Sequence, residues 1–188
     1  TPELATELVS LEKRFAGKRI IGVTTHRREN LGKGMDQIVQ AIVDIAARDD
    51  VAIIFPLHLN PAVRAATLPI LGNLANVALV EPLDYINFAR LMQVSTLMLT
   101  DSGGVQEEAP ALGKPVVVMR DTTERPEGVA AGTALLAGTN RTAIKDAVDR
   151  LLDDSQAYRA MARAHNPFGD GKAASRICNI LKREADGQ

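Results

Sequence analysis

The sequence has 188 residues, a formal net charge of −1 and one cysteine. A chain of this length can bury a full core, as one domain by default or as two small ones. Its lysines and arginines are dispersed, which argues against nucleic acid or an acidic membrane surface as partner, and the lone Cys178 excludes an internal disulfide framework. With no apolar run long enough for a bilayer and no signal peptide, the sequence predicts a soluble, cytoplasmic protein.

Apolar residues switch between helical and strand-like spacing along the whole chain. Leu4, Leu8 and Leu11 recur at helical spacing, whereas the unbroken apolar run at 51–55 is typical of a strand buried on both faces. Strands are predicted at 20–24, 51–55, 77–80, 96–100, 116–119 and 135–136, with helices between them at 35–47, 62–68, 88–92, 103–112 and 126–131, and further helices at 141–152, 157–164 and 173–183. This alternation predicts an α/β fold with a doubly wound, Rossmann-like parallel sheet and right-handed crossovers.

The stretch D-S-G-G-V-Q-E-E, directly after a predicted strand, has the composition of an anion-binding turn. Gly103 and Gly104 let the backbone approach a ligand without an intervening Cβ, and the first N–H groups of the helix that begins there have no partner within the helix. Ser102 can cap the helix or donate to a phosphoryl oxygen, and Glu107 and Glu108 can complement the helix dipole or accept ribose hydroxyls. A plain strand-to-helix turn also fits the glycine pair, but charged and hydroxyl residues after successive strands favour a phosphate site.

Three loops are expected to converge at one edge of the sheet, because parallel strands share their carboxyl ends. They carry His26, His58 and Ser102. His26 has the chemistry of a hydrogen-bond donor or acid/base group near neutral pH, or of a histidine that fixes its loop. His58 lies between two prolines and is more typical of a loop that holds its shape. Arginines suited to charge-assisted bonds with a diphosphate are expected at the same edge, namely Arg27, Arg28, Arg120 and Arg125.

Several other kinds of site do not match the sequence. His26, His58 and His165 lack the spacing of metal ligands, and Ser102 lies outside a G-x-S-x-G elbow. Neither a Walker loop nor G-x-G-x-x-G follows the first predicted strand. The sequence therefore predicts no metal and no cofactor.

Five segments, in order and over nearly the whole chain, resemble motifs of the non-hydrolysing UDP-N-acetylglucosamine 2-epimerases. They are T-H-R-R-E-N-L-G at 25–32, P-L-H-L-N-P at 56–61, L-T-D-S-G-G-V-Q-E-E-A-P-A-L-G-K-P at 99–115, M-R-D-T-T-E-R-P-E at 119–127 and H-N-P-F-G-D-G at 165–171. Five linked motifs are far more specific than one glycine loop. One position departs from the pattern: similar sequences can carry glutamine where Leu83 stands, so a backbone contact to the base is expected there in place of a side-chain contact.

The resemblance implies that the chain is the carboxyl-terminal, UDP-binding lobe of a two-domain fold of the glycosyltransferase-B type. Residues 1–188 would form this single domain, with 166–188 as a break and a terminal helix that packs on the absent amino-terminal domain. Matching positions imply that Ser102, Gly103 and Gly104 hold the phosphates, Glu108 the ribose hydroxyls, Phe88 the edge of the uracil and Arg125 the nucleotide. They also imply His26 as a catalytic residue beside the diphosphate and, in members regulated by substrate, a second nucleotide-sugar site at Arg27 and His58.

The reaction implied by the resemblance interconverts UDP-GlcNAc and UDP-ManNAc. UDP is eliminated to leave 2-acetamidoglucal and then adds back to the other face of the sugar. The family takes the carboxylates that act at sugar C2 from the other domain, so this chain is expected to bind UDP and UDP-N-acetylhexosamines but to catalyse little alone. The resemblance also implies a homodimer. Three alternatives stay open: a hydrolysing epimerase, a UDP-sugar transferase of the same architecture, and a nucleotide-sugar-binding module without chemistry.

Overall fold

The computed structural model describes residues 6–185 and builds them around a parallel sheet. Its strands are β1 (Arg19–Thr24), β2 (Val51–Pro56), β3 (Val77–Val80), β4 (Leu97–Thr100), β5 (Val116–Val118) and β6 (Ala134–Leu136). Within the described residues they pair in parallel in the order β3-β2-β1-β4-β5-β6. This order confirms the predicted doubly wound sheet and places its switch point between β1 and β4. Residues 1–5 and 186–188, with the predicted helical position Leu4 and the outer ends of the predicted domain, lie outside the described part.

Helices follow the strands close to the predicted bounds. They are α1 (Thr6–Arg14), α2 (Lys33–Ala46), α3 (Pro61–Leu71), α4 (Tyr85–Val94), α5 (Gly103–Glu108), α6 (Pro126–Ala131), α7 (Arg141–Asp153), α8 (Ser155–Ala162) and α9 (Ala173–Ala185). α3 is longer than predicted, because the Asn60 side chain caps its first turn and Pro69 falls in its last turn, where one missing N–H does not end the helix. Across residues 6–185, each helix is too short or too polar to cross a membrane.

The predicted helix after Ser102 consists of two parts. α5 has six residues and is followed by a 3₁₀ helix at Ala109–Leu112, because Pro110 has no N–H with which to continue the α-helical pattern. The chain then leaves this helix at Gly113, whose φ of +66° lies in the left-handed region. The helical segment thus ends at the bound predicted for the helix at 103–112.

Alternate residues of the buried strands face opposite layers of helices. In β1, Ile21 and Val23 pack against α2, α3 and α7, whereas Ile20 faces α1 and α4. On the other half of the sheet, Met98 and Val116 face α4 and α5. These five side chains are at most 8% exposed. Both faces of the sheet are therefore covered, and the edge formed by the strand ends is where a ligand can enter.

The carboxyl-terminal helix α9 lies outside this core. The break before it is held by Phe168, whose ring lies 3.4 Å from the place where a Cβ on Gly128 would stand. Ile177, Ile180 and Leu181 form the apolar side of α9, and each is more than half exposed. The apolar side of α9 is thus uncovered in the described chain.

Candidate functional site

A cavity of about 480 Å³ opens at the carboxyl ends of β1, β2 and β4. This volume lies within the range of small-molecule sites. The cavity brings together the loops of His26, His58 and Ser102, which the sequence analysis expected to converge. Its wall consists of Thr24, Thr25, His26, Pro56, His58, Leu59, Pro82, Leu83, Phe88, Ser102, Gly104, Val105 and Glu108.

Two threonines hold the ends of β1 and β4 together at the switch point. The hydroxyls of Thr24 and Thr100 lie 2.6 Å apart, and the N–H of Ser102 donates to the Thr100 hydroxyl at 2.9 Å. The turn that leads into α5 is therefore anchored to the sheet on both sides.

The Ser102-Gly103-Gly104 turn presents backbone to the cavity. Ser102 occupies the N-cap position of α5 in an extended conformation, and within residues 6–185 its side chain makes no capping bond to that helix. Gly103 is buried, whereas Gly104 is exposed and lines the cavity. The Ser102 hydroxyl and the first N–H groups of α5 are therefore available to an anion.

The buried carboxylate of Asp101 organises the loop after β1. It is fully buried and accepts from the hydroxyl of Thr25 at 2.7 Å, from the N–H groups of His26 and Arg27 at 3.0 and 2.9 Å, and from Asn30 Nδ2 at 3.0 Å. Burial alone would raise the pKa of Asp101, but hydrogen bonds from the His26 side chain, the Arg27 N–H, the Thr25 hydroxyl and the His26 N–H outweigh it and hold the pKa below its usual value. No role for Asp101 was predicted from the sequence, although its place at the end of a strand, next to Ser102, could have indicated one.

His26 is held from two directions. Its Nδ1 lies 3.3 Å from Oδ1 of Asp101, and its ring stacks on that of His58 with centroids 5.6 Å apart and an interplanar angle of 20°. His58 itself accepts from the N–H of Asn60 at 3.1 Å through Nδ1, which fits the prediction that it holds the shape of its loop. Within residues 6–185, the imidazole of His26 thus has one nitrogen at Asp101 and the other without a hydrogen-bond partner and available to a ligand in the cavity.

Two arginines lie beside the glycine turn. A Cβ on Gly103 would stand 3.7 Å from a guanidinium nitrogen of Arg27 and 3.9 Å from the guanidinium carbon of Arg125. Each is paired with a glutamate: Arg27 lies 3.5 Å from Glu124, and Arg125 Nε donates to Glu107. Both arginine side chains are at least 30% exposed, so an entering anion can compete for them.

The other two arginines named by the sequence analysis are placed differently. Arg120 is buried and donates to Glu29 at 2.7 Å and to Glu124 at 2.9 Å. Its hydrogen bonds lower the pKa of Glu124. Arg28 is exposed in a short 3₁₀ helix. Arg120 therefore binds carboxylates of its own chain rather than facing the cavity as an anion ligand, which corrects that expectation.

Part of the cavity lining is apolar. Phe88 is half-buried on α4 and packs against the core, beside Leu83. Asp84 fixes the start of α4 by accepting from the N–H of Asn87 at 2.9 Å. Glu108, on α5, also lines the cavity. The cavity thus combines an aromatic ring, a carboxylate, and the N–H and hydroxyl donors of the glycine turn.

A parallel sheet of this order, with a cavity at its switch point, defines the chain as a Rossmann-like lobe of the glycosyltransferase-B type. The sequence model of the family described as UDP-N-acetylglucosamine 2-epimerase matches residues 2–182. The chain therefore belongs to the UDP-N-acetylglucosamine 2-epimerase family.

Individual relatives agree with this assignment. The chain is 55% identical to the UDP-N-acetylglucosamine 2-epimerase of Escherichia coli K12 over 166 residues, which cover 88% of this chain and 44% of the relative. It matches the Staphylococcus aureus MnaA–UDP co-structure with a TM-score of 0.88 at 44% identity, covering 94% of this chain and 48% of the other. The Neisseria meningitidis UDP-GlcNAc 2-epimerase bound to UDP-GlcNAc matches with a TM-score of 0.85 at 42% identity, covering 95% and 50%. The chain thus spans about half the length of its relatives.

Proposed function

We propose that this chain is the UDP-binding half of a non-hydrolysing UDP-N-acetylglucosamine 2-epimerase. One observation carries the proposal: the cavity at the switch point is lined by His26, Phe88, Ser102, Gly104 and Glu108. The motif resemblance implies these same five positions for the nucleotide sugar. The similar structures from S. aureus, with UDP, and from N. meningitidis, with UDP-GlcNAc, support the same ligand class.

In this proposal the diphosphate lies against the glycine turn. The Ser102 hydroxyl and the backbone N–H groups of Gly103 and Gly104 donate to phosphoryl oxygens, and the absence of Cβ atoms allows the close approach. Arg125 adds a charge-assisted hydrogen bond, which is the stronger kind. The turn is anchored to β4 through Thr100, so these donors are already in place before the ligand arrives.

The nucleoside occupies the rest of the cavity. The half-buried ring of Phe88 borders the uracil, and the backbone beside Leu83 supplies the polar contact to the base. Glu108 accepts hydrogen bonds from the ribose hydroxyls, which a carboxylate can accept in pairs. Donors at one end and an apolar wall at the other fix the direction in which UDP lies.

His26 assists the bond change at the diphosphate. In the elimination step the C2 proton leaves the sugar, the C1–O bond to the β-phosphate breaks, and UDP departs with the electron pair to leave 2-acetamidoglucal. In the return step UDP re-forms the C1–O bond while C2 regains a proton on the other face. A protonated His26 carries one N–H for Asp101 and a second for the charge that develops on the departing diphosphate.

The groups that exchange the C2 proton belong, in this proposal, to a second domain. The chain spans about half the length of its relatives, and the uncovered apolar side of α9 is suited to pack against that domain. We propose a homodimer as the assembled state and the cytoplasm as its location, the latter because the sequence holds a single cysteine.

A second nucleotide-sugar site at Arg27 and His58 stays a prediction. His58 lines the same cavity as His26 and stacks on it. Arg27 donates from Nε to the carbonyl of Asp101 at 3.3 Å. A second ligand bound by these two residues would therefore adjoin the first one and contact it through the His26 ring.

Isothermal titration of the 188-residue chain with UDP tests the binding role. Ser102→Ala and Glu108→Ala are expected to weaken binding by about tenfold each, since each removes a polar contact to the ligand. Glu7→Gln, an exposed glutamate on α1, is the control and is expected to bind as the wild type does. Wild-type affinity in both cavity variants would contradict the proposed site.

An NMR time course with UDP-GlcNAc tests the reaction. The full-length protein is expected to form UDP-ManNAc without accumulating free ManNAc, and the 188-residue chain is expected to leave the substrate unchanged. Release of ManNAc and UDP would identify a hydrolysing epimerase. Transfer only in the presence of an acceptor would identify a transferase, and binding without any change would identify a module without chemistry.

A further inference from the structure

Gln106 is a polar side chain on α5 that has no exposed surface. A buried amide is costly unless its donors and acceptors are paired. Its Nε2 donates to the carbonyl oxygen of Ser102 at 3.1 Å, and its Oε1 accepts from the hydroxyl of Thr123 at 2.6 Å. The Thr123 hydroxyl in turn accepts from the N–H of Arg125 at 3.0 Å. Three hydrogen bonds therefore connect the glycine turn with Arg125, the N-cap residue of α6.

The two ends of this chain of hydrogen bonds fix its direction. The carbonyl of Ser102 can only accept, and the N–H of Arg125 can only donate. Gln106 must therefore turn its amino group toward Ser102 and its oxygen toward Thr123. Thr123 must then give its one hydroxyl proton to Gln106. A glutamine at 106 that accepts from a hydroxyl residue at 123 satisfies this pattern. A carboxylate at 106 would instead place an oxygen that cannot donate against the carbonyl oxygen of Ser102.

Arg125 is consequently linked to α5 both through its backbone N–H and through its guanidinium group. Gln106 reaches its backbone through Thr123, and the neighbouring Glu107 accepts from its guanidinium group. The Glu107 contact is partly exposed and open to competition by a ligand anion. The Gln106 side chain, in contrast, has no exposed surface, so its two hydrogen bonds are expected to persist when a ligand enters.

We propose that Gln106 is a positioning residue that sets the distance between the glycine turn and Arg125. It thereby raises the affinity of the site for a nucleoside diphosphate and leaves the affinity for the nucleoside alone unchanged. This inference rests on the proposed UDP site. Gln106 lies behind the turn and touches no part of the ligand in this arrangement. Its effect is expected only on the part of the ligand that bridges the turn and Arg125.

Four variants separate this role from simple core packing. Gln106→Met keeps the side-chain volume and loses both hydrogen bonds, and Thr123→Val keeps the shape and loses the hydroxyl. Gln106→Glu keeps the acceptor for Thr123 and loses the donor. Thr123→Ser retains the hydroxyl and is the rescue control.

Binding of UDP and of uridine to the 188-residue chain is the decisive comparison. Gln106→Met and Thr123→Val are each expected to weaken UDP binding by about tenfold and to leave uridine binding unchanged, while Thr123→Ser binds both as the wild type does. The double variant is expected to be no weaker than either single variant, because the two residues act through one path. Equal losses for UDP and uridine, or additive losses in the double variant, would overturn the positioning role.

Amide hydrogen exchange of the ligand-free chain provides a second readout. The Arg125 N–H is expected to exchange faster in Thr123→Val than in Thr123→Ser, with unchanged exchange in the core of β1. Thr123 is only partly buried, so this variant leaves the packed core intact. If the wild-type chain does not bind UDP, the proposed function fails. The exchange comparison still tests whether the Thr123 hydroxyl holds the backbone of Arg125. Equal exchange at Arg125 in both variants would overturn the inference on its own.

Discussion

Nδ1 of His26 lies 3.3 Å from Oδ1 of Asp101, and the carboxylate is completely buried. The same carboxylate accepts from the N–H groups of His26 and Arg27 and from the side chains of Thr25 and Asn30. One side chain at the end of β4 thus fixes both the backbone and the ring of the histidine that follows β1. The positions of His26 and of the glycine turn are coupled through adjacent residues, Asp101 and Ser102.

Asp101→Asn is expected to lower the free energy of unfolding by about 1–3 kcal/mol at pH 7. The amide nitrogen of asparagine would face N–H groups that need an acceptor, and a buried donor would be left without a partner. Urea-induced unfolding measures the loss. Asp146→Asn, at an exposed position on α7, is the matched control and is expected to stay within about 0.5 kcal/mol of the wild type.

The stability difference between wild type and Asp101→Asn is expected to shrink as the pH falls below about 4. Burial opposes ionisation of Asp101, but the hydrogen bonds prevail and its folded-state pKa lies below the usual value of about 3.9. A carboxyl group with a lowered folded-state pKa contributes stability above its unfolded-state pKa and loses it as the pH drops through the folded-state pKa. A difference that stayed constant from pH 7 to pH 3 would show that the charge of Asp101 has no part in stability.

Glu107→Gln is expected to tighten UDP binding by roughly two- to fivefold at low salt. Glu107 and the diphosphate compete for the guanidinium group of Arg125, and a partly exposed ion pair of this kind is worth only about 0.2–1 kcal/mol. The gain should diminish as salt is added. Glu127→Gln, an exposed glutamate on α6, should leave the affinity unchanged. Weaker binding in Glu107→Gln would mean that Glu107 helps to hold the nucleotide.

Replacing two glycines by alanine should have opposite effects on stability. Gly113 has a φ of +66°, and a Cβ there would stand 3.2 Å from the carbonyl oxygen of Ala162, so Gly113→Ala is expected to destabilise by about 1–2 kcal/mol. Gly34 lies in the first turn of α2 with room for a methyl group beside Thr139 at 3.7 Å. Gly34→Ala is expected to be neutral or to stabilise by up to about 1 kcal/mol. Thermal unfolding of both variants checks the pair, and equal effects would refute the backbone argument.

The sequence predicts the parts of the fold that depend on local pattern. The continuous apolar run at 51–55 and the helical spacing of Ile38, Ile42 and Ile45 determine β2 and α2, and Gly113 terminates its helix where expected. The division of the helix after Ser102 follows from Pro110, whose missing N–H is also a local property. Such features can be predicted because each depends on residues within one or two turns of one another.

The hydrogen-bond and ion-pair partners of side chains in the candidate site could not be predicted in the same way. The sequence analysis expected Arg120 to face an anion, but it pairs with Glu29, which is 91 residues away in the chain. No role was predicted for Asp101 or Gln106. The donors that reach their buried oxygen atoms come from loops that are distant in sequence and meet only in the folded chain. The motif resemblance located the cavity-lining residues, and the tertiary structure was needed to tell which side chains hold them in place.

A crystal structure of the chain with UDP would show where the diphosphate binds. The diphosphate is expected to contact the Ser102 hydroxyl and the N–H groups of Gly103 and Gly104, with the ribose at Glu108 and the uracil against Phe88. A diphosphate bound elsewhere on the chain, or UDP turned so that its base occupied the glycine turn, would contradict the proposed site.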